Sequence, residues 1–133
     1  MSAEPRLPDY LRHMHAAAEQ TLAYTIGMDR GAFVADLRTL QAVLFNFVIL
    51  GEASAKLMDD YSGFVAQHPA VPWRAIRNMR NRVAHGYFRV DYDVLWETVT
   101  TALPALLAEL PAVIAAADRQ AAGDPSQGAA DVR

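Results

Sequence analysis

Apolar residues recur every three to four positions along most of the chain, and no stretch sustains the two-residue alternation of a half-buried strand. Pro8-Asp9 suits the start of a first helix. Leu11, Met14, Ala18, Leu22 and Thr25 or Ile26 would share one side of it, and Gly27 would stop it. Asp29 is placed to cap the next segment. There Phe33, Leu37, Leu40, Leu44, Phe47 and Leu50 form one stripe through a long helix ending near Asp59. From Ala42 to Leu50 that helix is apolar nearly all round, with Asn46 as the exception, which marks it as the central, most buried helix. Residues 60–71, with Gly63 and a His68-Pro69 step, read as a loop. Pro72 fits the first turn of a helix that begins at Trp73 and ends at Gly86. Asp91 would cap a final helix with Val94, Leu95, Thr98, Leu103, Leu106, Leu110 and Ile114 inward. Pro104 and Pro111 are expected to kink or divide it. After Asp118 the composition turns to Ala, Gly, Asp, Pro, Ser and Gln, so residues 119–133 are expected to form a disordered tail behind a domain of residues 1–118. The expected fold is all-α, a four- to five-helix up-and-down bundle.

Composition adds exclusions. Hydrophobic residues are 53% of the 133, enough for one core. No cysteine is present, which removes a disulfide scaffold, a thiolate metal site and a cysteine nucleophile. The longest nearly unbroken apolar run, Ala42 to Leu50, falls short of the roughly 20 residues of a membrane span. The first residues do not resemble a signal peptide. The expectation is a soluble, cytoplasmic protein without a membrane role.

Charge is unevenly spread. The net charge is −3, yet Tyr61 to Val90 holds five Arg (74, 77, 80, 82 and 89) and no Asp or Glu. That segment carries +5, leaving −8 on the rest, a pattern that favours a specific anionic ligand over general polyanion binding.

The segment from Pro72 to Val90 reads PWRAIRNMRNRVAHGYFRV. At about 100° per residue, with Arg80 as zero, Ile76 falls near −40°, Val83 near −60°, Trp73 near +20° and Ala84 near +40°. Arg80 therefore sits in the middle of an apolar face, where a guanidinium has to be paired or hydrogen-bonded. One reading is an internal ion pair with Glu52, the one acid in the long helix between Asp36 and Asp59. The other is an anion-binding arginine in a cleft or at a subunit interface. An unbroken helix would set His85 about 140° away from Arg80. The two converge only if the helix frays at Gly86 or a second subunit brings its own pair alongside. His85 could act as an acid or base near neutral pH. No metal site competes: His13 and His15, two apart, do not share a helix face, no carboxylate cluster joins them, and His68 has no evident partner.

Arg80-Asn81-Arg82-Val83-Ala84-His85-Gly86-Tyr87 resembles the Arg-x4-His-x-Tyr motif of the HEPN superfamily, and more narrowly the HepT-like toxins. Pro72-Trp73, Met79-Arg80-Asn81, Leu50-Gly51-Glu52-Ala53, Asp91, Trp96 and Leu103-Pro104 also resemble that family, over roughly residues 10 to 115. The resemblance implies a helical bundle that pairs as a homodimer, with the two motifs facing each other in one composite cleft. It implies an endoribonuclease toxin of a type VII-like toxin–antitoxin system, cleaving RNA with neither metal nor cofactor. A 2′-hydroxyl would attack the adjacent phosphate, leaving a 2′,3′-cyclic phosphate and a 5′-hydroxyl. His85 would move protons and Arg80 would stabilise the transition-state charge. Asn81 would orient, and Arg77, Arg82 and Arg89 would hold flanking phosphates. Tyr87 matches the tyrosine to which a minimal nucleotidyltransferase antitoxin (MntA) attaches AMP. The alternative is a non-catalytic HEPN module that binds nucleotides or RNA, or serves as a docking partner.

Overall fold

In a computed structural model, residues 6–86 and 91–123 are described, with side chains specified except at residues 84–86. Every regular element among them is helical: α1 (Leu7–Thr25), α2 (Arg30–Ala35), α3 (Leu37–Asp60), α4 (Ser62–Ala66), α5 (Trp73–Gly86), α6 (Tyr92–Glu97) and α7 (Leu103–Gly123). A π-helical turn, Thr98–Ala102, joins the last two into one long rod. The expected all-α bundle is therefore present.

Helix α3 is the hub, with α1 and α5 packed against it and α7 against α1. Its core residues Val43, Phe47, Leu50 and Leu57 meet Leu11 and Met14 of α1 and Leu106 and Leu110 of α7 in one continuous cluster. Asn46, the polar exception in the apolar run, is buried with a partner. Its amide donates to Thr21 Oγ1 at 3.2 Å, and that hydroxyl donates to the Ala17 carbonyl at 2.8 Å. Both α3 and the rod at 92–123 are long and apolar enough to span a membrane by length and composition, while α3 buries more than half of its apolar stretch inside the bundle.

Local chemistry explains the departures from the sequence reading. The long helix expected from Asp29 is broken at Asp36. The Asp29 carboxylate accepts from the Ala32 N–H at 2.8 Å and starts α2. Asp36 then leaves helical geometry, and its carboxylate accepts from the Thr39 N–H at 3.2 Å and the Thr39 hydroxyl at 3.0 Å, opening α3. These bonds to the ionised form hold the Asp36 carboxyl below its ordinary value, the Thr39 backbone contributing most. The expected loop at 60–71 contains the short helix α4, and His68 has a partner there: its ring lies 4.4 Å from that of Phe64. In the last helix Leu95, Leu103, Leu106 and Leu110 are buried as expected, while Val94 is exposed and Val99, Val113 and Ala117 are buried instead.

Pro104 produces a π turn where a kink was expected. It has no N–H to give the carbonyl four residues back, and the Leu103 N–H bonds to the Thr98 carbonyl five residues back. Helix α7 runs on to Gly123, past the boundary placed after Asp118, through an Ala-rich turn that favours helix.

Candidate ribonuclease site

Helix α5 is docked on α3 through Trp73 and Ile76, both buried. The Trp73 carbonyl accepts from the buried Ser54 hydroxyl at 2.7 Å, and its indole N–H donates to the His68 carbonyl at 3.0 Å. These bonds pin the start of α5, so the face carrying Arg80 turns toward α3.

At that point the two helices nearly touch. A Cβ built on Gly51 would lie 3.1 Å from Arg80 Cα and Cγ, and closer still to Arg80 Cβ. Gly51 is where the absence of a side chain lets α5 approach. The guanidinium then bends out along the α3 surface. Its Nε and Nη2 donate to Asn81 Oδ1 at 3.1 and 2.8 Å, and its Nη1 donates to Glu52 Oε1 at 3.0 Å. The Arg80 side chain keeps 24% of its exposure and Glu52 keeps 60%.

Of the two readings of Arg80, the Glu52 pair is thus formed, but in a different setting from an internal one. A carboxylate this exposed keeps most of its hydration, and such pairs contribute about 0–1 kcal/mol. In a fully buried pair the desolvation cost would offset most of the attraction, and removing one partner would cost about 3–5 kcal/mol by stranding the other charge. Among the described residues three of the five guanidinium N–H groups find an acceptor, and the other two do not.

The other residues fall into place unevenly. Arg77 is half-buried and Arg82 exposed, and among the described residues no carboxylate lies within salt-bridge distance of either. His85 lies within α5, which continues to Gly86; its side chain, Tyr87 and Arg89 lie outside the described residues. Among the described residues no group of three or more metal-binding side chains occurs. His13 is exposed beside the edge of Tyr10, and His15 is half-buried. The contribution of Gly51 was missed in the sequence; a glycine inside an otherwise apolar helix was the available signal.

A ribonuclease HepT-like family model matches residues 14–113. A protein of Thermococcus cleftensis named "Probable ribonuclease HepT" is 37% identical over 98 residues, 74% of this chain and 86% of that one. A protein of Methanocaldococcus jannaschii named "Putative RNase MJ0127" is 29% identical over 108 residues, 81% of this chain and 84% of that one. No solved structure matches the chain. The matched span runs from the middle of α1 into α7 and takes in Gly51, Glu52, Arg80, Asn81 and His85, and the chain belongs to the HepT-like ribonuclease family.

Proposed function

We propose that the protein is a metal-independent endoribonuclease that acts as a cytoplasmic homodimer and is the toxin of a type VII-like toxin–antitoxin pair. The observation that carries this reading is the state of Arg80: fixed by Asn81, partly exposed, with two N–H groups from which no described residue accepts. It is consistent with the ribonuclease names of the relatives.

In this scheme the RNA 2′-hydroxyl attacks its own 3′-phosphate. His85 of one subunit accepts the hydroxyl proton, His85 of the other gives a proton to the departing 5′-oxygen, and Arg80 neutralises the charge that builds on the phosphorane. The continuity of α5 through Gly86 supports a two-subunit site, because positions 80 and 85 of one helix lie about 140° apart around its axis. Asn81 orients Arg80, and Arg77, Arg82 and Arg89 take flanking phosphates. A nucleotidyltransferase antitoxin of the MntA kind would transfer AMP from ATP to the Tyr87 hydroxyl with release of pyrophosphate. The added bulk and negative charge would then shut the site to RNA.

The test is cleavage of a single-stranded RNA by purified protein in buffer containing a chelator. The expected products end in a 2′,3′-cyclic phosphate, and both Arg80→Ala and His85→Ala abolish them. Full activity in both variants overturns the proposal. Co-expression with a neighbouring nucleotidyltransferase gene should add the mass of one AMP residue to the peptide holding Tyr87.

A further inference from the structure

We propose that Glu52 sets how tightly the site holds RNA, by competing with the substrate phosphate for Arg80. This rests on the reading of Arg80 as the phosphate-binding residue. Glu52 Oε1 lies 3.0 Å from Arg80 Nη1, on the same guanidinium whose open N–H groups would take a phosphate, so the carboxylate is a built-in anion beside the position of the ligand. Holding the guanidinium in place does not require it. Asn81 Oδ1 already takes Nε and Nη2, and the close approach at Gly51 fixes the base of the side chain. Glu52 is too exposed to clamp anything firmly: at 60% exposure it can swing into water at little cost. What it supplies is charge. With Glu52 in contact, Arg80 presents little net positive potential to an arriving anion. Only a polyanion that also engages a neighbouring cation such as Arg77, about 60° from Arg80 around α5, gains enough to displace it. A lone phosphate gains less and is turned away, so Glu52 discriminates for an extended RNA backbone.

The probe is a fluorescent single-stranded oligoribonucleotide with 2′-O-methyl groups, which lacks the attacking hydroxyl and therefore reports binding alone. Glu52→Gln keeps an oxygen acceptor and removes the charge. It should bind this probe about three- to five-fold more tightly at low salt, the scale of an exposed pair, with the gain shrinking as salt rises. The gain should vanish when Arg80→Ala is added. It should also exceed that of Glu109→Gln, which changes net charge equally on the exposed side of α7. Unchanged or weaker binding by Glu52→Gln overturns the proposal, as does a gain that survives Arg80→Ala or is matched by Glu109→Gln. Lack of detectable binding in both wild type and Glu52→Gln overturns it as well. If the binding pattern holds while unmodified RNA is not cleaved, the nuclease reading fails and the competition stands.

Discussion

Gly51 and Arg80 sit so close that neither could carry more atoms at their contact. The atoms that crowd a Gly51 Cβ are the Cα, Cβ and Cγ of Arg80, so rotation of the arginine cannot relieve the contact and α5 itself has to move. Gly51→Ala adds roughly 1 kcal/mol of helix propensity. Overpacking of about 1–3 kcal/mol opposes it, and the overpacking wins. The variant should melt at lower temperature while staying helical. If Arg80 binds the reacting phosphate as proposed, RNA cleavage should fall by about 10²-fold, because a displacement of about 1 Å at the reacting centre costs that much. Thermal melts followed by circular dichroism, paired with RNA cleavage rates, check both halves.

Arg80→Lys tests the need for a planar guanidinium. An ammonium cannot reach Asn81 with two donors, Glu52 with a third and still face a phosphate in fixed geometry. Cleavage should drop about 10²–10³-fold, the scale of losing one oriented donor, with little change in the melting temperature. Activity near wild type in a kinetic assay would show that charge alone suffices.

The buried pair of Asn46 and Thr21 predicts a non-additive result. Thr21→Val removes the acceptor of the Asn46 amide and leaves a buried donor unpaired, a loss of about 1–3 kcal/mol. Adding Asn46→Leu removes the orphaned amide and should recover part of that loss. Urea denaturation of the two single variants and the double variant measures the coupling.

Asp36 predicts an acid effect of defined sign. Its carboxyl is held below the ordinary value by Thr39, so the folded state favours the ionised form. The stabilisation it gives is present above the unfolded pKa and lost as pH falls through the lower, folded one. Asp36→Asn keeps a capping oxygen without titrating there. Its melting temperature should therefore fall less between pH 5 and pH 3 than that of the wild type, as a pH series of melts would show.

Much of the fold was legible in the chain because helix periodicity and capping chemistry are local. Asp29 and Asp91 cap where their positions indicated, and Trp73 starts the motif helix. The break at Asp36 escaped because the apolar stripe from Phe33 continues across it. Periodicity alone cannot see a helix stop when the hydrophobic face resumes on the other side. The surroundings of Arg80 were legible in part: it is a charge on an apolar stripe, and Glu52, the one acid between Asp36 and Asp59, is its partner. How exposed that partner is, and that Gly51 is the floor beneath the arginine, depend on the spacing of two helices far apart in sequence, which no local pattern encodes.

Among the described residues the motif helix α5 is anchored chiefly on α3, which also packs against α1. Amide exchange of α5 should therefore track that of the second half of α3 as one cooperative unit. Lesions on the far side of α3, including those at Asn46, would be transmitted to the guanidinium through this shared support.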